Sequence, residues 1–220
     1  MNRKLTAALL AAVAVLTTAA FTALGSIFDY PAVLKEPAGE ILAAFRASQG
    51  PIVAWFTVLA VSAALFAPIA VGVGRLSRHR AMRAAVPVGI AAAVVQVIGL
   101  SRWPVLVPGY AADNDLDAFA TAHRVLGTLI GETFGYALTA AWVLLVLVAL
   151  GRAFAGRWFV ALGGTAAALI ATGVLEPLHV PGVGLTNFVG YVLFSLWLVA
   201  FAVLLARRPA VAGTPALATR

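Results

Sequence analysis

Charged and amide side chains stand at the ends of several long apolar segments, where they could bind a polar group at membrane depth. Arg102 and Glu176 each end an apolar segment, Glu132 and Asn187 lie near the start of one, and Gln96 precedes Arg102 by six residues. Ionisable groups inside a membrane cost a few kcal/mol, so they suggest a function unless they reach water. Arg102 would anchor an anion or a carboxylate, and Glu132 would be its partner or a proton acceptor.

Two histidines near this group of residues raise the alternative of a metal or haem site. His123 and His179 lie in segments that we expect outside the apolar spans. His123 and Glu132 are nine residues apart, about 180° around an α-helix, so one continuous helix cannot direct both at the same atom. A shared metal site would need a break near Gly127. Zinc ligands are also closer in sequence as a rule, so we expect no metal and no cofactor.

A second pattern runs along the segment that carries Glu132. Arg124, Thr128, Glu132 and Tyr136 are spaced by four residues, which on an α-helix gives a stripe that drifts by about 40° per step. One interpretation is an ion pair that locks helices together, with Glu132 bound to Arg102 or Arg124. The alternative is that Arg124, Glu132 and Tyr136 line a ligand pocket together with Arg102 and His123.

The composition indicates that lipid surrounds these residues. The chain has 220 residues, of which 63% are hydrophobic and 10% are charged, and it contains no Cys. So apolar a chain needs a solvent other than water, and the lipid bilayer is its expected partner. The formal net charge of +7 does not indicate nucleic acid, because the basic residues lie in short segments between apolar ones and form no basic face.

Six segments are long and apolar enough to cross the hydrocarbon core, namely residues 5–27, 51–74, 84–101, 128–150, 158–175 and 188–206. The sequence therefore predicts an all-α integral membrane domain over residues 1–208, followed by a disordered cytoplasmic tail over residues 209–220. The first span is better described as a retained helix than as a cleaved signal peptide, because its apolar stretch is long for a signal.

The charges predict the orientation of these spans. If the N-terminus is cytoplasmic, the cytoplasmic segments hold eleven of the fifteen basic residues and none of the eight acidic ones. This distribution follows the positive-inside rule at every loop. We therefore expect a multi-pass protein of the cytoplasmic membrane, with both termini in the cytoplasm and the polar residues at the outer face.

Internal similarity indicates three repeated helical hairpins. Gly135-Tyr136 and Gly190-Tyr191 are each followed, six residues after the tyrosine, by Trp142 and Trp197. The alternative is that Tyr, Trp and Pro gather at membrane interfaces in any case. Gly127, Gly131 and Gly135 form a stripe of small residues that lets a helix approach closely, either within the chain or in a homodimer.

Two further helical features are predicted outside the apolar spans. Ile41, Leu42 and Phe45 share one helical face after Pro37, which indicates a short helix lying on the outer membrane surface. Asp115 is a candidate N-cap for a helix of about 36 residues, roughly 54 Å long and therefore longer than the membrane is thick.

Short motifs recur in order along nearly the whole chain. They are Asp29-Tyr30-Pro31, Leu100-Ser101-Arg102-Trp103, His123-Arg124-x-Leu126-Gly127, Gly131-Glu132, Gly135-Tyr136, Trp142, Leu175-Glu176-Pro177, Asn187 with Gly190-Tyr191, and Ser195-Leu196-Trp197-Leu198. In these motifs the chain resembles the bacterial multi-spanning membrane proteins catalogued as domain of unknown function 4386. The resemblance implies a six-helix membrane protein without an established activity. Relatives often carry His after the Gly-Glu pair, where this chain has Thr133.

The function that these observations favour is binding of a small or lipid-like ligand in an outward-facing polar pocket. One alternative is an interfacial metal-dependent membrane enzyme using His123 and His179. The sequence favours it less, because it contains no Walker loop, dinucleotide fingerprint, HExxH or GxSxG motif. The other alternative is a small transporter acting as a homodimer, which would need polar groups in the inner half of the membrane as well.

Overall fold

A computed structural model describes residues 2–178 and 180–207, and within these ranges the chain is helical without strands. His179 and the predicted tail, residues 209–220, lie outside the described residues. Eight α-helices follow one another as α1 Arg3–Phe28, α2 Ala38–Ala47, α3 Gln49–Gly74, α4 Arg80–Val105, α5 Val107–Asp113, α6 Leu116–Ala122, α7 Gly135–Thr172 and α8 Val183–Arg207. A π-helix, His123–Phe134, joins α6 to α7. Short 3₁₀-helices cover Ala32–Lys35 and Gly173–Leu178.

Five helical segments of the described chain are long and apolar enough to cross a membrane. The fourth, Leu116–Leu178, has 63 residues and contains both of the predicted spans 128–150 and 158–175. This segment folds back on itself, as the contact of Gly173 near its end with the ring of Tyr136 near its start shows. The bend falls at Gly151–Gly156, where the backbone leaves the helical conformation and both glycines have positive φ, which suits residues without a Cβ atom.

The two arms of this hairpin pack against α8, and α1 and α4 complete the bundle by contacting α3. The predicted repeat lies at the centre of this packing. The indole rings of Trp142 and Trp197 meet edge to face at 6.0 Å, and the rings of Tyr136 and Tyr191 meet at 5.8 Å. Because the tyrosines pair at one level and the tryptophans at another, the first arm of α7 and α8 run parallel. Common ancestry of the hairpins stays a hypothesis.

The predicted short helix is present as α2, and Ile41, Leu42 and Phe45 are all buried in it. These side chains pack on the protein rather than on the membrane surface, because the ring of Phe45 lies 6.0 Å from that of Trp103 in α4. Arg46 of α2 also contacts α5, because its Nη1 donates to the backbone oxygen of Ala111 at 3.1 Å. Helix α2 therefore closes one end of the bundle.

The outside of the bundle is apolar along its whole length. Large hydrophobic side chains that remain exposed occur on every long helix, including Val15, Val61, Val94, Ile98, Leu129, Leu144, Val148, Trp158, Leu185, Phe188, Val192, Leu196 and Val203. A surface of this kind is stable only against lipid. The protein is thus a helical membrane protein.

Adjacent glycines in α7 test whether the hairpin packs on α8 as described. A Cβ atom at Gly163 would lie 2.6 Å from Nε1 of Trp197, whereas one at Gly164 would meet nothing within 4 Å. We expect Gly163→Ala to cost about 1–3 kcal/mol through overpacking. Gly164→Ala is expected to be neutral or stabilising by up to about 1 kcal/mol, through helix propensity. Thermal melting in detergent, followed by circular dichroism, measures both, and equal melting temperatures would contradict this packing.

Candidate functional site

The candidate site forms where α4 crosses the π-helix at very short distance. A Cβ atom at Gly99 would lie 2.5 Å from Cα of Gly131, and one at Gly131 would lie 2.8 Å from Cα of Gly99. On the same face, Gly135 lies against Gln96, and a Cβ atom at Gly135 would be 3.1 Å from Cγ of Gln96. Gly127, Gly131 and Gly135 therefore all pack against α4 within the chain. The predicted homodimer through these glycines stays a prediction.

Arg102 is the charged side chain that this crossing buries. Its side chain and backbone together are only 4% exposed. The guanidinium lies on Gly127, where a Cβ atom would be 2.6 Å from Nη2. Nη1 donates to the backbone oxygen of Gly99 at 2.6 Å, and the Trp103 ring lies 5.2 Å from Cζ. Nε is buried and has no acceptor among the described residues.

His123 provides the second contact of this guanidinium. Nη2 of Arg102 lies 3.5 Å from Nδ1 of His123. Since a guanidinium can only donate, Nδ1 must be the acceptor in this contact, and the ring proton then belongs on Nε2. The imidazole stacks on Phe119, with the ring centres 5.6 Å apart. His123 thus joins the cluster as a neutral ring with one N–H left to donate.

The prediction that one continuous α-helix cannot direct His123 and Glu132 to the same atom does not apply to this segment. It assumed α-helical geometry, but residues 123–134 form a π-helix. Its i→i+5 hydrogen bonds imply about 4.4 residues per turn, so nine residues make about two full turns. Both side chains therefore lie on one face and reach the surroundings of Arg102 without a break at Gly127.

Glu132 lies in this cluster but is not bound to a cation. In residues 2–178 and 180–207 its carboxylate forms no hydrogen bond and no ion pair within 4 Å. It is nevertheless close enough to Arg102 and Glu176 for electrostatic interaction with both. Arg124, the other predicted partner, is exposed and has no described partner either. The ion pair of Glu132 with Arg102 or Arg124 is thus not formed in the described structure.

Three tyrosines lie close enough to Glu132 for electrostatic interaction, and they were only partly predicted. Tyr136 interacts electrostatically with Glu132, Tyr30 and Tyr191. Tyr30 packs edge-on against Phe56 at 5.2 Å. Burial raises the pKa of Tyr30 well above its ordinary value, and Glu132 raises it further, so the phenol keeps its proton. Tyr30 was missed as a site residue, because it follows the first span and only tertiary packing brings it to Glu132.

The remaining predicted site residues connect elements at the same end of the bundle. Nδ2 of Asn187, which is buried, donates to the backbone oxygen of Ile170 at 2.8 Å. Nε2 of Gln96 donates to Oγ1 of Thr139 at the same distance. Glu176 forms an ion pair of 3.3 Å with Lys35. Asn187 and Gln96 therefore hold helices together, whereas Glu176 stands at the edge of the cluster.

The described residues contain no group of three His, Asp or Glu side chains that could hold a metal ion. His123 belongs to the Arg102 cluster. His179, its partner in the metal and haem alternatives, lies outside the described residues.

The fold and this cluster define a class, a multi-helix membrane protein with a buried arginine at one end and a histidine and a glutamate near it. Residues 5–202 match the family described as Domain of unknown function (DUF4386), and the chain belongs to this family. The match includes all the long helices, and the predicted resemblance is thereby confirmed. No curated protein matches the chain, and no solved structure does.

The missing ion pair predicts how the cluster responds to mutation. Removing one partner of a buried ion pair costs about 3–5 kcal/mol. Because Glu132 makes no such contact, we expect Glu132→Gln to change the stability by less than about 1 kcal/mol. Its effect should add to that of Arg102→Leu to within about 1 kcal/mol.

Melting of wild type, both single variants and the double variant in detergent tests this, with the exposed Glu40→Gln as the control. A strong loss in Glu132→Gln that the double variant recovers would show that the pair locks the helices.

Proposed function

We propose that the protein binds a small or lipid-like ligand in the polar cluster around Arg102 and Glu132. The observation that carries the proposal is Arg102 itself, a buried guanidinium whose Nε has no acceptor among the described residues. A buried donor without an acceptor is costly and needs an explanation. The indole N–H groups of Trp103, Trp142 and Trp197 are in the same condition, but Arg102 is charged, so its cost is higher. The oxygen atoms of a ligand would serve as the acceptor of Nε.

A purely structural role explains the cluster less well. A structural arginine would be expected to bind the nearest carboxylate, yet Glu132 stays beyond ion-pair distance. A transporter would need polar groups along the whole bundle. Instead, the other half of the core is aromatic, with Phe66, Trp142, Phe159, Trp197 and Phe201 packed together. Binding at one end therefore fits this bundle better than passage through it.

We further propose that the two arms of the α7 hairpin both cross the membrane, which gives six spans. The segment Leu116–Leu178 would extend about 95 Å if straight, some three times the hydrocarbon core. Arg152 and Arg157 flank its bend and are exposed. The positive-inside rule then places this bend and both termini in the cytoplasm, and the Arg102 cluster at the outer face.

Single cysteines test this topology, since the chain has none of its own. In whole cells, a membrane-impermeant maleimide should label Asp113→Cys. It should label Arg78→Cys and Arg157→Cys only after the membrane is opened. All three positions are exposed, so labelling of the opened cells is the control for reactivity. Labelling of Arg157→Cys in intact cells would contradict six spans. Labelling of Arg78→Cys and Arg157→Cys, but not Asp113→Cys, in intact cells would show the opposite orientation.

Compounds that copurify with the protein test the proposed binding. We expect mass spectrometry of extracts from purified wild type to find a compound in near-stoichiometric amount. Arg102→Gln should reduce it about tenfold or more, because a charged hydrogen bond is lost. Arg124→Gln is the matched control, as it removes an exposed arginine of the same region. Equal amounts of the compound in the extracts of wild type, Arg102→Gln and Arg124→Gln would contradict binding at Arg102.

A further inference from the structure

We infer that the ligand is a zwitterion, carrying an ammonium group and an anionic oxygen group a few atoms apart. This inference rests on the proposed function and names its ligand class. It comes from the opposite charges of Arg102 and Glu132, which interact electrostatically but form no ion pair within 4 Å.

Once Arg102 and His123 contact each other, both have only donors left to offer. Nδ1 of His123 is engaged by the guanidinium, so the imidazole offers Nε2–H. Nε of Arg102 is buried without an acceptor in the described ranges. A phosphate or carboxylate oxygen is the ligand group that a guanidinium and an imidazole N–H recognise together.

The opposite side of the cluster provides acceptors and aromatic faces. Glu132 has no cation bound to it among the described residues, and Glu176 lies close enough to interact with it electrostatically. Tyr136 and Tyr191 lie close enough to Glu132 for electrostatic interaction, and their rings are 5.8 Å apart and tilted by 61°. Carboxylates beside aromatic rings are the surroundings that ammonium groups bind.

A single ligand lying between Arg102 and Glu132 would explain why these two opposite charges form no ion pair. In a low-dielectric site a cation and a carboxylate attract strongly and would close into contact if nothing stood between them. Here they remain more than 4 Å apart, and the phenol of Tyr30, which interacts electrostatically with both, keeps its proton. A ligand with both charges satisfies both sides at once, whereas an anion alone would leave Glu132 uncompensated and repelling it.

Headgroups of membrane lipids and small soluble molecules share this chemistry, and four probes separate the two sources. Dihexanoyl phosphatidylethanolamine and O-phosphoethanolamine carry the ammonium group. Dihexanoyl phosphatidylglycerol and glycerol phosphate carry the same phosphate without it. Native mass spectrometry of the full chain in detergent would measure the binding of each probe. The proteins compared are wild type, Glu132→Gln, Arg102→Gln and Arg124→Gln, and circular dichroism would verify that each variant is folded. Arg102→Lys, which keeps the charge, is the additional variant if Arg102→Gln does not fold.

We expect the ethanolamine probe of one pair, lipid or soluble, to bind wild type at least about tenfold more tightly than its partner without the ammonium. Glu132→Gln should reduce this preference to about twofold or less, while Arg102→Gln should weaken both probes. Arg124→Gln should match wild type. A preference in the lipid pair identifies a headgroup as the ligand, and a preference only in the soluble pair identifies a soluble zwitterion.

Equal binding within both pairs that Arg102→Gln abolishes would overturn the zwitterion and leave the proposed function standing. Absence of binding by all four probes would also overturn it. In that case the copurification experiment decides on the proposed function. The proposed function also fails if Arg102→Gln leaves the amount of the copurified compound unchanged.

Discussion

The contact between the glycine faces of α4 and the π-helix determines the rest of the site. Gly99 and Gly131 bring two backbones so close that a single Cβ atom would not fit between them. At this distance the guanidinium of Arg102 has room only because Gly127 has no side chain. Its described hydrogen-bond partners there are a backbone oxygen and an imidazole. In lipid, helices associate through such close packing rather than through the hydrophobic effect. The same glycines that hold the helices together thus also shape the space around the buried charge.

Much of the fold could be predicted, because the membrane restricts the choices. Apolar length and charge distribution are enough to locate the long helices, and the face formed by Ile41, Leu42 and Phe45 predicted α2. Asp115 caps α6 as expected, accepting from the backbone N–H of Ala118 at 2.9 Å. The π-helix could not be predicted, since no residue type specifies i→i+5 bonding. It is maintained by tertiary contacts such as Gly99 on Gly131, and locally by Thr133, whose Oγ1 donates to the backbone oxygen of Thr128.

The candidate site could be predicted in its composition but not in its geometry. Arg102, Glu132 and His123 were identified because charged groups at membrane depth are rare. The four-residue spacing that joined Arg124 to Glu132 holds only for an α-helix. In the π-helix Arg124 is exposed instead. Tyr30 could not be found from spacing, because it reaches Glu132 from the far end of the chain. Residues that meet through tertiary packing alone leave no periodic signal.

The two halves of the bundle differ in what their packing permits. The half with Trp142 and Trp197 is filled by interlocking aromatic rings, each of these indoles lying against a glycine, Gly89 or Gly163. Such a core is dense and resists rearrangement. The other half also has packed rings, with Trp103 stacked on Phe56 at 4.7 Å, but it adds opposite charges that form no ion pair. It also contains the π-helix, a geometry that is rare overall and often found at functional sites. Both halves therefore have packed aromatic rings, and charged groups are what distinguishes the half with Arg102. The proposed ligand would bind there, because Nε of Arg102 and the carboxylate of Glu132 have no partner among the described residues.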